Sequence, residues 1–270
     1  MTAGTLPKRI GVYDSGVGGL SVANCVRRLL PEAHYFYLSD NLNFPYGTKP
    51  DEAVVAFTTK NCKKFIDTYE LDILVIACNT ASTVALDAVR AAVKIPVVGV
   101  VPAIKPAGQL SKSKSIGLLA TPATVKRPYT LKLIEDFANG CSVALQGSSV
   151  LVEIAEKKLR SELYSTAAIK AEVDPLLGQD PKIDIIVLGC THFPLLKDEL
   201  SQLYPTIQWM DSGAAIASRV KSLLPTITPT LKPQRHDAGV AVFTTETAAA
   251  HSLSNALVPF GFNATDFLKF

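Results

Sequence analysis

The chain has 270 residues, is 48% hydrophobic and carries 16 glycines and 17 prolines, enough apolar material for one large domain or two medium ones, each with its own core. Its formal charge of +3 is too mild to imply a nucleic-acid partner, and the clusters Lys126-Arg127 and Lys157-Lys158 with Arg160 read as solvated helix faces. Five widely spaced cysteines without a CxxC pair and four unclustered histidines argue against a disulfide frame or a metal site; with no signal-like start and no apolar run of membrane-spanning length, a reduced, cytoplasmic location without a membrane segment is expected.

In chain order, Arg9 to Asp14 (RIGVYD) reads as a buried strand, followed by the turn Ser15-Gly16-Val17-Gly18-Gly19 and the helix GLSVANCVRRLL. Glycines let such a turn bend sharply and let backbone N–H groups approach an anion. A dinucleotide fingerprint fails on spacing: GxGxxG from Gly16 requires glycine where Ser21 stands, and no Walker lysine follows. Asp14, at the end of the strand, is either a helix cap or a group facing a cleft. His34 to Asp40 is a second strand. The loop NLNFPYGTKP follows, in which Tyr46-Gly47 either lines a pocket or shapes the turn. Asp51 to Glu70 is a helix capped by Asp51, with Val54, Val55, Phe57, Phe65 and Ile66 at helical spacing. Cys25 and Cys62 fall inside helices and read as packing residues. Asp72 to Thr83 (DILVIACNTAST) is an apolar strand that ends on Cys78 and opens another helix.

From Pro96 the segment PVVGVVPAI crosses into a second unit, and Ser115 to Thr121 (SIGLLAT) repeats the opening strand at an offset of 106 residues. A helix (Leu131 to Ala138), a strand (Cys141 to Gln146), the turn Gly147-Ser148-Ser149 and the helix VLVEIAEKKL follow. Glu153 and Glu156 lie one turn apart on that helix, where a solvated face is the ordinary expectation. No element is assigned between it and Asp184. Asp184 to Leu195 (DIIVLGCTHFPL) then matches Asp72 to Thr83 at a constant offset of 112 residues, which sets Cys190 where Cys78 stood. FPLLKDELSQLY reads as a helix, and IQWMDSGAAIASRVKSLL as strand, turn and helix. A loop over 224–237 follows, then a strand in GVAVFTTE, a helix and one more strand that complete the first sheet. The expectation is an α/β chain of two similar doubly wound parallel-sheet domains, 1–98 with 211–270 and 99–210, and an active site in the cleft between them.

Each of the two cysteines lies at the carboxyl end of a strand and the amino end of the next helix, where open α/β sheets place ligands and the helix dipole favours a thiolate. One such cysteine is by default a small packing residue. A matched pair, each followed by threonine with Asn or His beside it, is harder to assign to packing. Two thiols on opposite walls of a small cleft could form a redox disulfide, bind a soft metal or transfer protons. Metal binding wants more soft ligands, and redox pairs usually lie close in sequence. Proton transfer fits best: one base removes a proton from one face of a carbon and a conjugate acid returns it to the other. Asp14 and His192 are the candidate tuners, one per side. Ser15, Asn79, Thr80, Thr121 and Thr191 can donate hydrogen bonds to substrate carboxylates.

The stretches GVYDSGVGGLSV, SDN…PYG, ACNTAST, LLATPATVKRPY and GCTHFPLL, in that order over nearly the whole chain, resemble the glutamate racemases of the aspartate/glutamate racemase family. The resemblance implies a cofactor-independent, metal-free isomerase that interconverts L- and D-glutamate, supplies D-glutamate for peptidoglycan and forms a homodimer. It implies that Cys78 and Cys190 are the two acid/base residues, acting on the D- and L-enantiomer respectively, with Asp14 assisting Cys78 and His192 assisting Cys190. Asp14-Ser15, Tyr46-Gly47, Asn79-Thr80 and Thr191-His192 would bind substrate, and Thr121 would hold a carboxylate. The functional glutamate would be Glu156, with Glu153 as the fallback. The chain departs from the pattern at Ala123, where the family has glycine. A related aspartate racemase is the near alternative. A non-catalytic phosphate- or nucleotide-binding α/β protein is the distant one, disfavoured by the missing lysine and the broken glycine spacing.

Overall fold

The computed structural model describes residues 7–226 and 239–269. The chain divides into two compact units, Met1–Val100 with Gly213–Phe270, and Val101–Ser212.

The first unit opens with β1 (Arg9–Asp14), α1 (Leu20–Leu29), β2 (His34–Ser39), α2 (Asp51–Tyr69), β3 (Ile73–Ile76), α3 (Asn79–Ala92) and β4 (Val97–Gly99). Every residue of β1 and β3 is buried. Continuous burial is the signature of parallel strands covered on both faces, and the aliphatic run ILVI meets it without a polar interruption. Asp51 is the first helical residue of α2 and not its cap. Pro50 holds the cap position with no side-chain bond, and Asp51 and Glu52 instead place negative charge in the first turn, where the dipole favours it. The helix stops at Glu70, whose left-handed backbone (φ 48°) turns the chain into β3.

The second unit runs α4 (Ile104–Leu110), β5 (Ser115–Ala120), α5 (Pro122–Lys126), α6 (Pro128–Phe137), β6 (Ser142–Gly147), α7 (Val150–Leu159), α8 (Thr166–Gln179), β7 (Ile185–Leu188), α9 (Lys197–Leu203) and β8 (Gln208–Met210). α4, α5 and α8 are the helices that the sequence reading did not assign. α8 buries Ile169, Val173 and Leu176, a proper helical spacing, but contains Pro175, which reads locally as a breaker.

The chain returns to the first unit through α10 (Gly213–Leu223), β9 (Val240–Phe243), α11 (Ala248–Leu257) and β10 (Ala264–Phe267). Leu224–Thr226 form a single 3-10 turn; the rest of the expected 224–237 loop lies outside the described residues.

Two all-parallel sheets result, ordered β10-β9-β2-β1-β3-β4 and β6-β5-β7-β8. The duplication seen in the sequence is therefore topological: β2-β1-β3-β4 and β6-β5-β7-β8 have the same connectivity. Even the register matches, since Ile10 pairs with Ile73 as Ile116 pairs with Ile185. The paired acidic residues that open the two cysteine strands are structural. Asp72 accepts from the Arg9 amide at 2.8 Å, and Asp184 accepts from Ser111 Oγ and the amides of Lys112 and Ser113 at 2.7, 2.8 and 2.9 Å.

Candidate active site

Parallel pairing brings the carboxyl ends of β1 and β3 side by side, because Tyr13 pairs with Ile76 and the Ala77 amide donates to Tyr13 O at 2.7 Å. Asp14 and Cys78 follow directly. Cys78 is 6% exposed, extended in backbone, and occupies the cap position of the 14-residue α3. Its carbonyl accepts the Ser82 amide at 2.8 Å while the first amides of the helix point towards its side. A thiolate there lies at the positive end of the aligned peptide dipoles.

Ser15 is the neighbour of this sulfur. Its Oγ lies 3.8 Å from Cys78 Sγ and donates to Asp14 Oδ1 at 3.4 Å. The same carboxylate oxygen accepts the Gly16 amide at 2.7 Å, an Asx-type turn. α1 starts only at Leu20, so Asp14 is not its cap. Gly19 makes this packing possible: a Cβ there would lie 2.9 Å from Asp14 Cβ and 3.0 Å from Ala77 Cβ. Asn79 and Thr80, the first helical residues, are also buried, and Asn79 Oδ1 has no hydrogen-bond partner among the described residues.

Tyr46 and Gly47 form a 3-10 turn. The Tyr46 ring is fully buried, with its hydroxyl bonded to Asp40 and to the Tyr13 hydroxyl. Asp40 is held in turn by Asn43 Nδ2 at 3.1 Å and by Thr244 Oγ1 at 2.8 Å. Burial and the Asp40 charge push the Tyr46 hydroxyl far above its ordinary pKa, so it stays a neutral donor. Asp40, Tyr13 and Thr244 were not singled out from the sequence; the SDN motif was the local signal, and Thr244 joins it from 204 residues further along the chain.

The second unit builds a different neighbourhood. Gly189 N donates to Leu119 O at 2.7 Å and Cys190 follows, 7% exposed. The helix expected from Phe193 is in fact a 3-10 turn (Phe193–Leu196) leading into α9. Few aligned dipoles therefore face Cys190, and a side chain supplies its partner. His192 Nδ1 lies 3.8 Å from Cys190 Sγ, and Nε2 lies 2.9 Å from Glu156 Oε1 on α7. Of the two glutamates, Glu156 is the one turned inward; Glu153 is exposed. Lys158 pins α7 to this turn, donating to Leu195 O and to Glu199, each at 2.8 Å.

Burial alone opposes charge on His192, but hydrogen bonds to Cys190 and Glu156, with the charges on both, outweigh it and hold the imidazole well above its usual pKa. A protonated ring can donate from both nitrogens, to the carboxylate and to the sulfur.

Thr191 is buried beside His192. Thr121 caps α5, accepting the Thr124 amide at 3.3 Å, with the two hydroxyls 2.8 Å apart. Ala123 lies within α5 and is not among the residues of positive φ, so alanine is accommodated there without strain. No disulfide joins any of the five cysteines. Among the described residues no group of three or more His, Cys, Asp or Glu is disposed to hold a metal ion, and no helix is long and apolar enough to cross a membrane.

The folded units thus gather Cys78 with Ser15 and Asp14, and Cys190 with His192 and Glu156. Comparison with known proteins fits this pattern. The Asp/Glu/hydantoin racemase family model matches residues 20–220. The chain is 48% identical to glutamate racemase of Salmonella typhimurium over 258 residues, covering 95% of this chain and 90% of that one. It is 46% identical to the glutamate racemase of a Shewanella species, covering 94% of each. A crystal structure of Escherichia coli glutamate racemase, in complex with L-glutamate and the activator UDP-MurNAc-Ala, is similar with a TM-score of 0.92 at 45% identity, covering 97% of this chain and 98% of that one. With two matched α/β units, a cysteine at the same strand end of each and a family match over most of its length, the chain belongs to the Asp/Glu/hydantoin racemase family.

Proposed function

We propose that the chain is a glutamate racemase that works without a cofactor, through two cysteine bases. One observation carries the reading: in each of two matched units, a buried strand runs into a buried, reduced cysteine with a polar side chain beside its sulfur. The glutamate racemases to which the chain is 46–48% identical support glutamate as the substrate.

In this reading the Cys78 thiolate takes the α-proton of D-glutamate, becoming a thiol. The Cys190 thiol delivers its own proton to the opposite face of the resulting carbanion, becoming a thiolate, and L-glutamate leaves. The reverse direction exchanges the roles. Enantiomers have equal free energy in solution, so the reaction has no downhill side, and each sulfur must serve as acid and as base. The Ser15–Asp14 pair and the amino end of α3 support negative charge on Cys78. His192, charged and anchored by Glu156, does so for Cys190. Asn79 Oδ1 is an open acceptor for the substrate ammonium. Thr80, Thr121 and Thr191 offer hydroxyls to its carboxylates, and the Tyr46-Gly47 turn offers backbone. D-glutamate for peptidoglycan and a homodimeric assembly belong to the same reading.

The test is α-deuterium wash-in from heavy water for each glutamate enantiomer and for aspartate. Wild-type protein is expected to label and racemise glutamate. Cys78→Ala and Cys190→Ala are expected to stop racemisation with the far-ultraviolet circular dichroism unchanged. Racemisation at the full rate by either variant would sink the two-base mechanism, and preferential labelling of aspartate would replace the substrate.

A further inference from the structure

Glu156 meets His192 through Oε1, 2.9 Å from Nε2. Its other oxygen, Oε2, lies 3.4 Å from Nη1 of Arg160, one helical turn further along α7. Arg160 is itself gripped from the far side: Nε and Nη2 donate to the two oxygens of Glu162 at 2.6 and 3.1 Å, a planar fork that fixes the guanidinium plane.

Residues two apart do not ordinarily face each other at a helix end. Here they do, because Ser161 adopts a left-handed backbone (φ 57°). The Glu162 amide donates to Lys157 O at 2.9 Å and the Ser161 amide to Lys158 O at 3.1 Å, the paired bonds of a Schellman termination. A left-handed conformation is unfavourable for a residue with a Cβ, so the turn is held by its surroundings. Nε, Nη1 and Nη2 of Arg160 thus each donate to one of two carboxylates. Glu162 is half-exposed and is linked to the Glu156 carboxylate through the Arg160 guanidinium.

We propose that Arg160 and Glu162 are positioning residues for the racemase reaction, clamping the outer oxygen of Glu156 so that its inner oxygen stays aimed at His192. This rests on the proposed two-cysteine reading of the site. A carboxylate held at one oxygen can rotate about its terminal torsion; held at both, it cannot, and the imidazole beside Cys190 keeps one orientation. Lysine would not replace Arg160, since a point charge cannot satisfy two carboxylates in one plane.

The experiment uses the full chain with Arg160→Met, Glu162→Gln, Arg160→Lys and the Arg160→Met/Glu162→Gln double variant. Each is expected to lower kcat for glutamate about tenfold with KM within about twofold, because orientation and not binding is lost. The double variant is expected to be no slower than Arg160→Met alone, since Glu162 acts only through Arg160. A second readout does not depend on turnover: heteronuclear nitrogen–proton spectra of the His192 ring, whose Nε2–H is expected to exchange about tenfold faster with water in every variant. Losses that multiply in the double variant, or unchanged kcat and ring exchange in Glu162→Gln, would overturn the proposal. If the wild-type protein does not racemise glutamate, the functional reading fails, and the ring exchange alone decides whether the clamp exists.

Discussion

Replacing Glu156 with glutamine removes the charge that faces His192. Both side chains are almost fully buried, 4% and 7% exposed, so solvent screens the pair very little. Glutamine keeps an oxygen for the Nε2–H bond but gives up the negative charge and the acceptor that faces Arg160 Nη1. Each pH unit by which folding raises the imidazole above 6.5 is worth about 1.4 kcal/mol. Breaking a buried ion pair by removing one partner costs about 3–5 kcal/mol. Because the imidazole can shed its proton, the lower end applies, about 3 kcal/mol near pH 6. The sign follows from the direction of the shift. A histidine whose folded pKa is raised contributes its full stabilisation below the unfolded value of 6.5, and that contribution fades as the pH climbs through the raised folded value. Wild type and Glu156→Gln should therefore differ most near pH 6 and converge with rising pH. Urea unfolding followed by circular dichroism, from about pH 6 to about pH 10, measures this directly. A gap below about 1 kcal/mol near pH 6, or one that does not narrow as the pH rises, would refute the assignment of a charged His192 paired with Glu156.

Two further outcomes follow from geometry. Gly19→Ala would drive a Cβ to 2.9 Å from Asp14 Cβ and 3.0 Å from Ala77 Cβ, neither of which sits on a flexible arm. It is expected to cost about 1–3 kcal/mol in urea unfolding and to lower kcat, by pushing apart the strand ends that carry Asp14 and Cys78. Asp184 is held down to about 2: burial opposes its charge, but the Ser113 amide, the Ser111 hydroxyl and the Lys112 amide more than compensate. Its stabilising effect is present above the ordinary aspartate value of 3.8 and is lost as the pH falls through about 2. Wild type should thus exceed Asp184→Asn in urea midpoint near pH 5, with the difference shrinking towards pH 2. A difference independent of pH would remove the loop-anchoring role of this carboxylate.

Local pattern carried much of this molecule. The buried strands, the doubled cysteine motif and its constant offset were legible because a parallel strand covered on both faces must be apolar throughout, and because the same pairing was needed twice. The amino end of α3 at Cys78 was equally plain, since apolar strand, cysteine and polar helix start are contiguous. The carboxyl-terminal strands were expected to complete the first sheet; β9 does so beside β2 and β10 beside β9.

Other features depended on residues that only folding brings together. Whether Glu153 or Glu156 turns inward depends on how α7 rolls against the turn after Cys190, which Lys158 fixes across 37 residues of chain. The Tyr46 ring looked equally suited to a pocket wall or a turn. Asp40 and a threonine 204 residues beyond it decide that it is an internal strut. The helix expected from Phe193 begins as a 3-10 turn and becomes α-helical only at Lys197, and α8 forms despite Pro175 because Ile169, Val173 and Leu176 find a buried face. The left-handed Ser161 that folds Glu162 back onto Arg160 has no glycine to announce it. Periodicity and composition report what each segment would bury. Which carboxylate meets which imidazole is a property of three-dimensional packing, where residues far apart in the chain settle one another's orientation.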